Sequence, residues 1–177
     1  MTLQLVKDRE CGKCSACCVA LRINVDTLKK DADIPCKNLD KNKGCAIYKD
    51  RPPVCRNWFC AWRYTNKFGD EWRPDRSGII LRFDEDGGII LQTLKDPLVV
   101  LTSELCLSLV ASCIESNLSV SISVPTRKGF CSSLVRANEP LRKIIATRNL
   151  FAVKIEMLNL IRHAASLPTD PILPMGE

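Results

Sequence analysis

Between residues 11 and 60 this chain places eight cysteines, Cys11, Cys14, Cys17, Cys18, Cys36, Cys45, Cys55 and Cys60, in a segment otherwise rich in Asp, Lys, Asn and Pro. A polar segment with few apolar runs cannot bury enough surface to order itself, so it needs a disulfide or metal staple. Three features favour metal. The opening Met1-Thr2-Leu3-Gln4-Leu5-Val6-Lys7 has no apolar stretch of signal-peptide length. No run approaches the roughly 18 apolar residues of a membrane span. The total of eleven cysteines is odd. Together they predict a cytoplasmic chain with reduced thiols, no membrane association and no disulfide framework.

Thiolates are soft ligands that select zinc, copper(I) or iron–sulfur clusters. The spacing Cys-x2-Cys-x2-Cys-Cys places successive sulfurs on adjacent backbone turns. Zinc accepts four such sulfurs tetrahedrally. The x2, x2 spacing equally matches the opening of a ferredoxin-type run that holds a four-iron cluster. Cys17 and Cys18 cannot readily aim at one ion, so the pair serves two centres or Cys18 packs beneath one. Eight sulfurs allow two four-sulfur sites, or one cluster with spare thiols. The expected cofactor is therefore zinc or an iron–sulfur cluster.

The residues Glu10-Cys11-Gly12-Lys13-Cys14-Ser15-Ala16-Cys17-Cys18 resemble the opening of the CxxCxxCC family of zinc- or iron-chelating proteins. The likeness continues through Pro35-Cys36-Lys37-Asn38-Leu39, Gly44-Cys45-Ala46-Ile47-Tyr48 and the run from Arg51 to Cys60. It covers roughly residues 10 to 62, and each of that family's eight cysteines has a counterpart here. The resemblance implies metal chelation by Cys11, Cys14, Cys17, Cys18, Cys36, Cys45, Cys55 and Cys60. Some related multidomain proteins methylate flagellin lysines and carry the same cysteine signature, which implies an iron–sulfur redox role there. Within the motif, Pro52 and Pro53 fix dihedrals just before Cys55, and Arg51 or Arg56 can lower thiol pKa values. Gly12 permits a tight knuckle turn, and Tyr48 and Trp58 can shield a centre from water.

The formal charge of +6 counts thiols as neutral. Two zinc-tetrathiolate sites would each add about −2, and a four-iron cluster a similar amount. The basic residues Lys7, Arg9, Lys13, Arg51, Arg56 and Arg63 then read as thiolate counter-charges, and the composition argues against nucleic acid as the partner. Residues 63 to 76 form an aromatic loop, in which Phe68 and Trp72 either cover a junction or present a lip to a protein partner. Oligomeric state and any catalysed reaction stay open.

The expected fold is α+β, a cysteine module with its aromatic loop over residues 1–78 packed against a core over residues 79–177 as one compact unit. That core is a small, mostly antiparallel sheet with flanking helices. A short helix is expected over 25–33, from Val25, Leu28 and Ala32. A hairpin is expected over 78–93 around Asp84-Glu85-Asp86-Gly87, and a short strand over 98–101. A helix capped by Thr102 or Ser103 should end at Asn117. The alternation of 118–124 predicts a strand with Ser119, Ser121 and Ser123 on a wet face. Another strand falls within 130–135, and a last helix carries the stripe Leu150, Val153, Met157, Leu160 and Ala164. Cys106 and Cys113 read as core residues, Cys131 as a non-ligand, and the only histidine, His163, as a helix-end cation.

Overall fold

The computed structural model describes residues 4–40, 42 and 44–169. In chain order the elements are α1 (Ala16–Ala20), β1 (Ile23–Val25), β2 (Leu28–Lys30), β3 (Leu39–Asp40), β4 (Gly44–Cys45), α2 (Pro53–Arg56), α3 (Ala61–Tyr64), α4 (Pro74–Ser77), β5 (Ile79–Phe83), β6 (Ile89–Thr93), α5 (Pro97–Val100), α6 (Glu104–Glu115), β7 (Val120–Ser123), β8 (Leu134–Arg136), α7 (Asn138–Ala146) and α8 (Leu150–Ser166), with a 3-10 turn at Asp70–Trp72. The class is α+β, as the sequence predicts.

A four-stranded sheet in the order β5-β6-β7-β8 organises the molecule. β5 pairs antiparallel with β6, β6 parallel with β7, and β7 antiparallel with β8. The β6–β7 crossover carries α5 and α6. Period-2 alternation divides the side chains between two faces. Ile79, Leu81, Leu91, Ile122 and Val135 join one apolar cluster with Leu107, Val110, Leu141, Met157 and Leu160 of the helices. The other face carries Ile80, Arg82, Ile90, Gln92, Ser121 and Ser123. Cross-strand register aligns Ile80, Gln92, Ser123 and Leu134 in one row.

The second face is not wet. Ser121 and Ser123 are buried, because the cysteine segment roofs them. Ala20, Leu28 and Ala32 are buried on that side, the Gln92 side-chain amide lies 3.5 Å from Ala20 O, and Gly129 N donates to Ala32 O. The sheet is therefore covered on both faces, which alternation alone cannot reveal.

Local expectations hold at most helix ends. Ser103 accepts from Cys106 N and caps α6, and Asn117 follows that helix at φ +58°. α8 buries Val153, Met157, Leu160 and Ala164, whereas Leu150 is exposed. Two elements differ. Residues 23–30 form a hairpin rather than a helix, closing between Val25 and Leu28. Leu28 and Lys30 face inward while Lys29 faces out, so the apolar spacing served a period of two. Residues 97–100 are a helical turn rather than a strand. Pro97 occupies its first position and the Asp96 side chain accepts from Leu98 N, a start signal that outweighs the β-branched run.

Asn138 joins the helices to the sheet. It is buried, its Oδ1 accepts from Val120 N at 2.8 Å, and its Nδ2 donates to Leu118 O at 2.8 Å. Asn138→Ala leaves both backbone groups without that partner and is expected to lower unfolding free energy by about 2 kcal/mol, read by urea denaturation. A change within about 0.5 kcal/mol would show that water replaces the amide.

Candidate metal centre

The eight cysteines of residues 11–60, together with Cys131, line one cavity of about 500 Å³ between the module and the second sheet face. All eleven cysteines are free thiols, and the eight are half-buried. Short elements bring them there. Cys14 N donates to Cys11 O at 2.9 Å, closing a knuckle whose Gly12 stands at φ +54°, where other residues are strained. Cys17 and Cys18 are consecutive on α1, and consecutive helical residues diverge by about 100°. Cys36 N donates to Cys18 O at 2.8 Å, tying the next loop to α1. The β3–β4 hairpin sets Cys45 opposite Leu39. Pro53 starts α2, which carries Cys55. Cys60 immediately precedes α3.

Electrostatic neighbours sort the thiols into two sets of four. Cys60 feels Cys11 and Cys14, and Cys17 feels the same two. Cys45 and Cys55 each feel Cys18 and Cys36, and Cys55 also feels Cys45. Cys17 and Cys18 link the sets, through a hydrogen bond donated by the Cys17 thiol to the Cys18 sulfur. That bond, then burial, raises the Cys17 pKa. The same bond is the largest influence lowering Cys18 to about 7; burial opposes it, and the Lys30 and Arg51 charges assist it. Burial pushes Cys14, Cys45 and Cys55 up, and Cys60 up to about 11.

The donor set suits a soft cation. Backbone N–H groups of Ala16 and Asp75 point at the Cys14 sulfur, that of Ile47 at Cys45, and those of Arg63 and Trp62 at Cys60. Such donors stabilise sulfur as thiolate. Among the described residues, no group of three or more His, Cys, Asp or Glu side chains stands ready to hold a metal ion. Loading either set is thus a rearrangement of these thiols.

The basic residues divide by role. Lys30 is buried, and its Nζ donates to Val19 O, Asp31 O and Ile34 O at 2.6, 2.8 and 2.7 Å. Its charge faces Cys36, Cys18 and Cys17. Sequence reading passed over Lys30, because the helix expected over 25–33 gave it no inward-facing strand position. Arg51 donates to Cys55 O and Tyr48 O and stacks 3.9 Å above the Tyr48 ring. Arg9, expected as a thiolate counter-charge, instead donates to Trp62 O, Thr65 O and Phe68 O, while Arg63 donates to Arg9 O.

Phe68 and Trp72 are buried in the helix-side cluster with ring centroids 5.9 Å apart, which makes them junction cover. Tyr48 and Trp58 line the cavity, as does Cys131, on the far side from the helices. Cys106 and Cys113 are buried in the core as expected, and His163 lies in the exposed last turn of α8. Among the described residues, no helix is long and apolar enough to cross a membrane. No protein-family model, curated protein or solved structure matches this chain.

Proposed function

We propose that this is a metal-binding protein whose eight cysteines form two four-thiolate centres, Cys11/Cys14/Cys17/Cys60 and Cys18/Cys36/Cys45/Cys55. The observation that carries the reading is the division of eight cavity-lining thiols into two sets of four, joined at Cys17 and Cys18. The likeness of residues 10–62 to the CxxCxxCC proteins points the same way, and with it to a cytoplasmic protein. Thiolate ligands suit zinc and iron–sulfur centres alike. Zinc would supply a rigid crosslink, and an iron–sulfur centre one-electron chemistry able to support an enzymatic modification.

The protein's own residues set the conditions for loading. Lys30 and Arg51 offset the negative charge gathering on the second set. N–H donors do so at Cys14, Cys45 and Cys60. Tyr48 and Trp58 limit water at the cavity wall. Anaerobic purification with metal and acid-labile sulfide analysis tests the reading. Two zinc ions, or iron with matching sulfide, support it; less than about one metal per chain overturns it.

Loading must depend on pH. Thiols with raised pKa values hold their protons at neutral pH, and metal binding displaces those protons. Affinity therefore rises with pH and falls as acid is added. Each filled set is expected to release about three to four protons near pH 7, with the Cys18 set releasing fewer because Cys18 is already partly ionised at about 7. Zinc titration in two buffers of different ionisation enthalpy measures the number. Release of fewer than about one proton per metal would exclude thiol ligation.

A further inference from the structure

The thiols form only the roof and sides of the cavity. Its floor is the second sheet face, with Ile80, Gln92, Ser123 and Leu134 in one cross-strand row and Arg82 beside them. We propose that this floor is a binding site for a small organic carboxylate with an apolar body, its carboxylate held by Arg82.

Arg82 lies between Leu81 and Phe83 on β5, on the face opposite the helix-side core. Its Nε is buried without a hydrogen-bond partner. Among the described residues, no carboxylate forms an ion pair with Arg82. Its electrostatic neighbour is the Cys131 thiol. Arg82 is half-buried, and a guanidinium nitrogen buried without a partner costs free energy. An anion entering from the cavity removes that cost, and a carboxylate matches the guanidinium fork with two parallel hydrogen bonds.

The rest of the cavity selects the body of the ligand. Leu28, Ile80, Phe130 and Leu134 supply apolar walls near Arg82, with Gln92 and Ser123 as polar groups on the floor; Arg22, Asp33, Asn38 and Arg51 stand elsewhere in the lining. A mostly apolar pocket of some hundreds of Å³ with a few placed polar groups is how small-molecule sites are built. A free phosphate would leave those walls unused, so the combination points to an aliphatic or aromatic acid.

The site rests on the roof being ordered, and hence on the loaded module proposed above. The experiment therefore uses full-length protein purified anaerobically, with metal content measured on the same samples. Phenylacetate and its neutral analogue phenylacetamide serve as probes, with binding followed by ligand-observed NMR and calorimetry. Saturable binding of phenylacetate at millimolar concentration or below is expected, at least about tenfold tighter than phenylacetamide. Arg82→Met should abolish that preference while metal content stays unchanged and the thermal midpoint rises, because a buried nitrogen without a partner has gone. A structural arginine would instead lower the midpoint on removal. Absence of saturable binding to metal-loaded protein, equal affinity for acid and amide, or an undiminished preference in Arg82→Met would each overturn the proposal. Should Arg82→Met fail to fold, the acid–amide comparison on the unmodified protein decides alone. Metal-free protein that still binds phenylacetate with the same preference would show that the roof orders without metal, and would leave this proposal standing independently of the metal reading.

Discussion

Metal removal is expected to melt residues 11–60 and to spare residues 79–167. The reason is an imbalance of buried apolar surface. The elements before residue 61 are two to five residues long, and in that stretch Ala20, Leu28 and Ala32 are the fully buried apolar side chains among the described residues. Ordering the backbone costs about 1–2 kcal/mol per residue, far beyond what three small side chains return. A structural zinc site contributes on the order of 10–16 kcal/mol to folding, far more than those side chains do. The sheet and helices stand differently, since Leu81, Leu91, Ile122, Leu141 and Met157 are sealed from water in one continuous cluster. Hydrogen exchange read by mass spectrometry, before and after anaerobic chelation, is the measurement. Peptides from 11–60 are expected to lose protection by more than about a hundredfold, while peptides of β5, β6, α6 and α8 keep theirs. Unchanged protection across 11–60 after verified metal loss would mean the module folds without its thiols engaged.

The second large effect concerns two neighbouring residues. Cys17→Ser and Cys18→Ser each remove one sulfur, separated by a single peptide bond, yet they are expected to empty different centres. Each variant should retain about half the metal of the parent. Pairing Cys17→Ser with Cys60→Ser should cost no more than either change alone, since both sulfurs belong to one set. Pairing Cys17→Ser with Cys18→Ser should leave almost none. This is a double-mutant cycle read in metal equivalents, and non-additivity within a set is its signature. Elemental analysis of the parent, the single variants Cys17→Ser, Cys18→Ser and Cys60→Ser, and the two double variants decides it. Equal and complete loss from both single variants would show one shared centre, and the two-set division would fail.

The cysteines were legible from sequence because their chemistry does not depend on tertiary context. Eight thiols in a polar segment are soft ligands wherever the chain goes. The divergence of Cys17 and Cys18 follows from backbone geometry alone. The hairpin at 78–93, the Ser103 cap and the stripe of α8 were legible for the same reason, since each is a local pattern with a local cause. The hairpin at 23–30 was misread because Val25, Leu28 and Ala32 satisfy a helical spacing on paper. What decided the matter was the inward turn of Lys30 onto three carbonyl groups, a contact with residues 19, 31 and 34.

The amino-acid order by itself determined that this protein would combine a thiol-rich polar segment with an α+β core. It could not determine which cysteines would be neighbours, since the sets join residues from 11 to 60 and from 18 to 55 across several turns. Nor could it show that Ser121 and Ser123 would be roofed, or that Arg82 would stand at the base of a cavity. Alternation states that a strand has two faces and nothing about what covers the second. Only the folding of the cysteine segment back over the sheet supplied that cover, because burial is a property of the assembled surfaces rather than of any one strand.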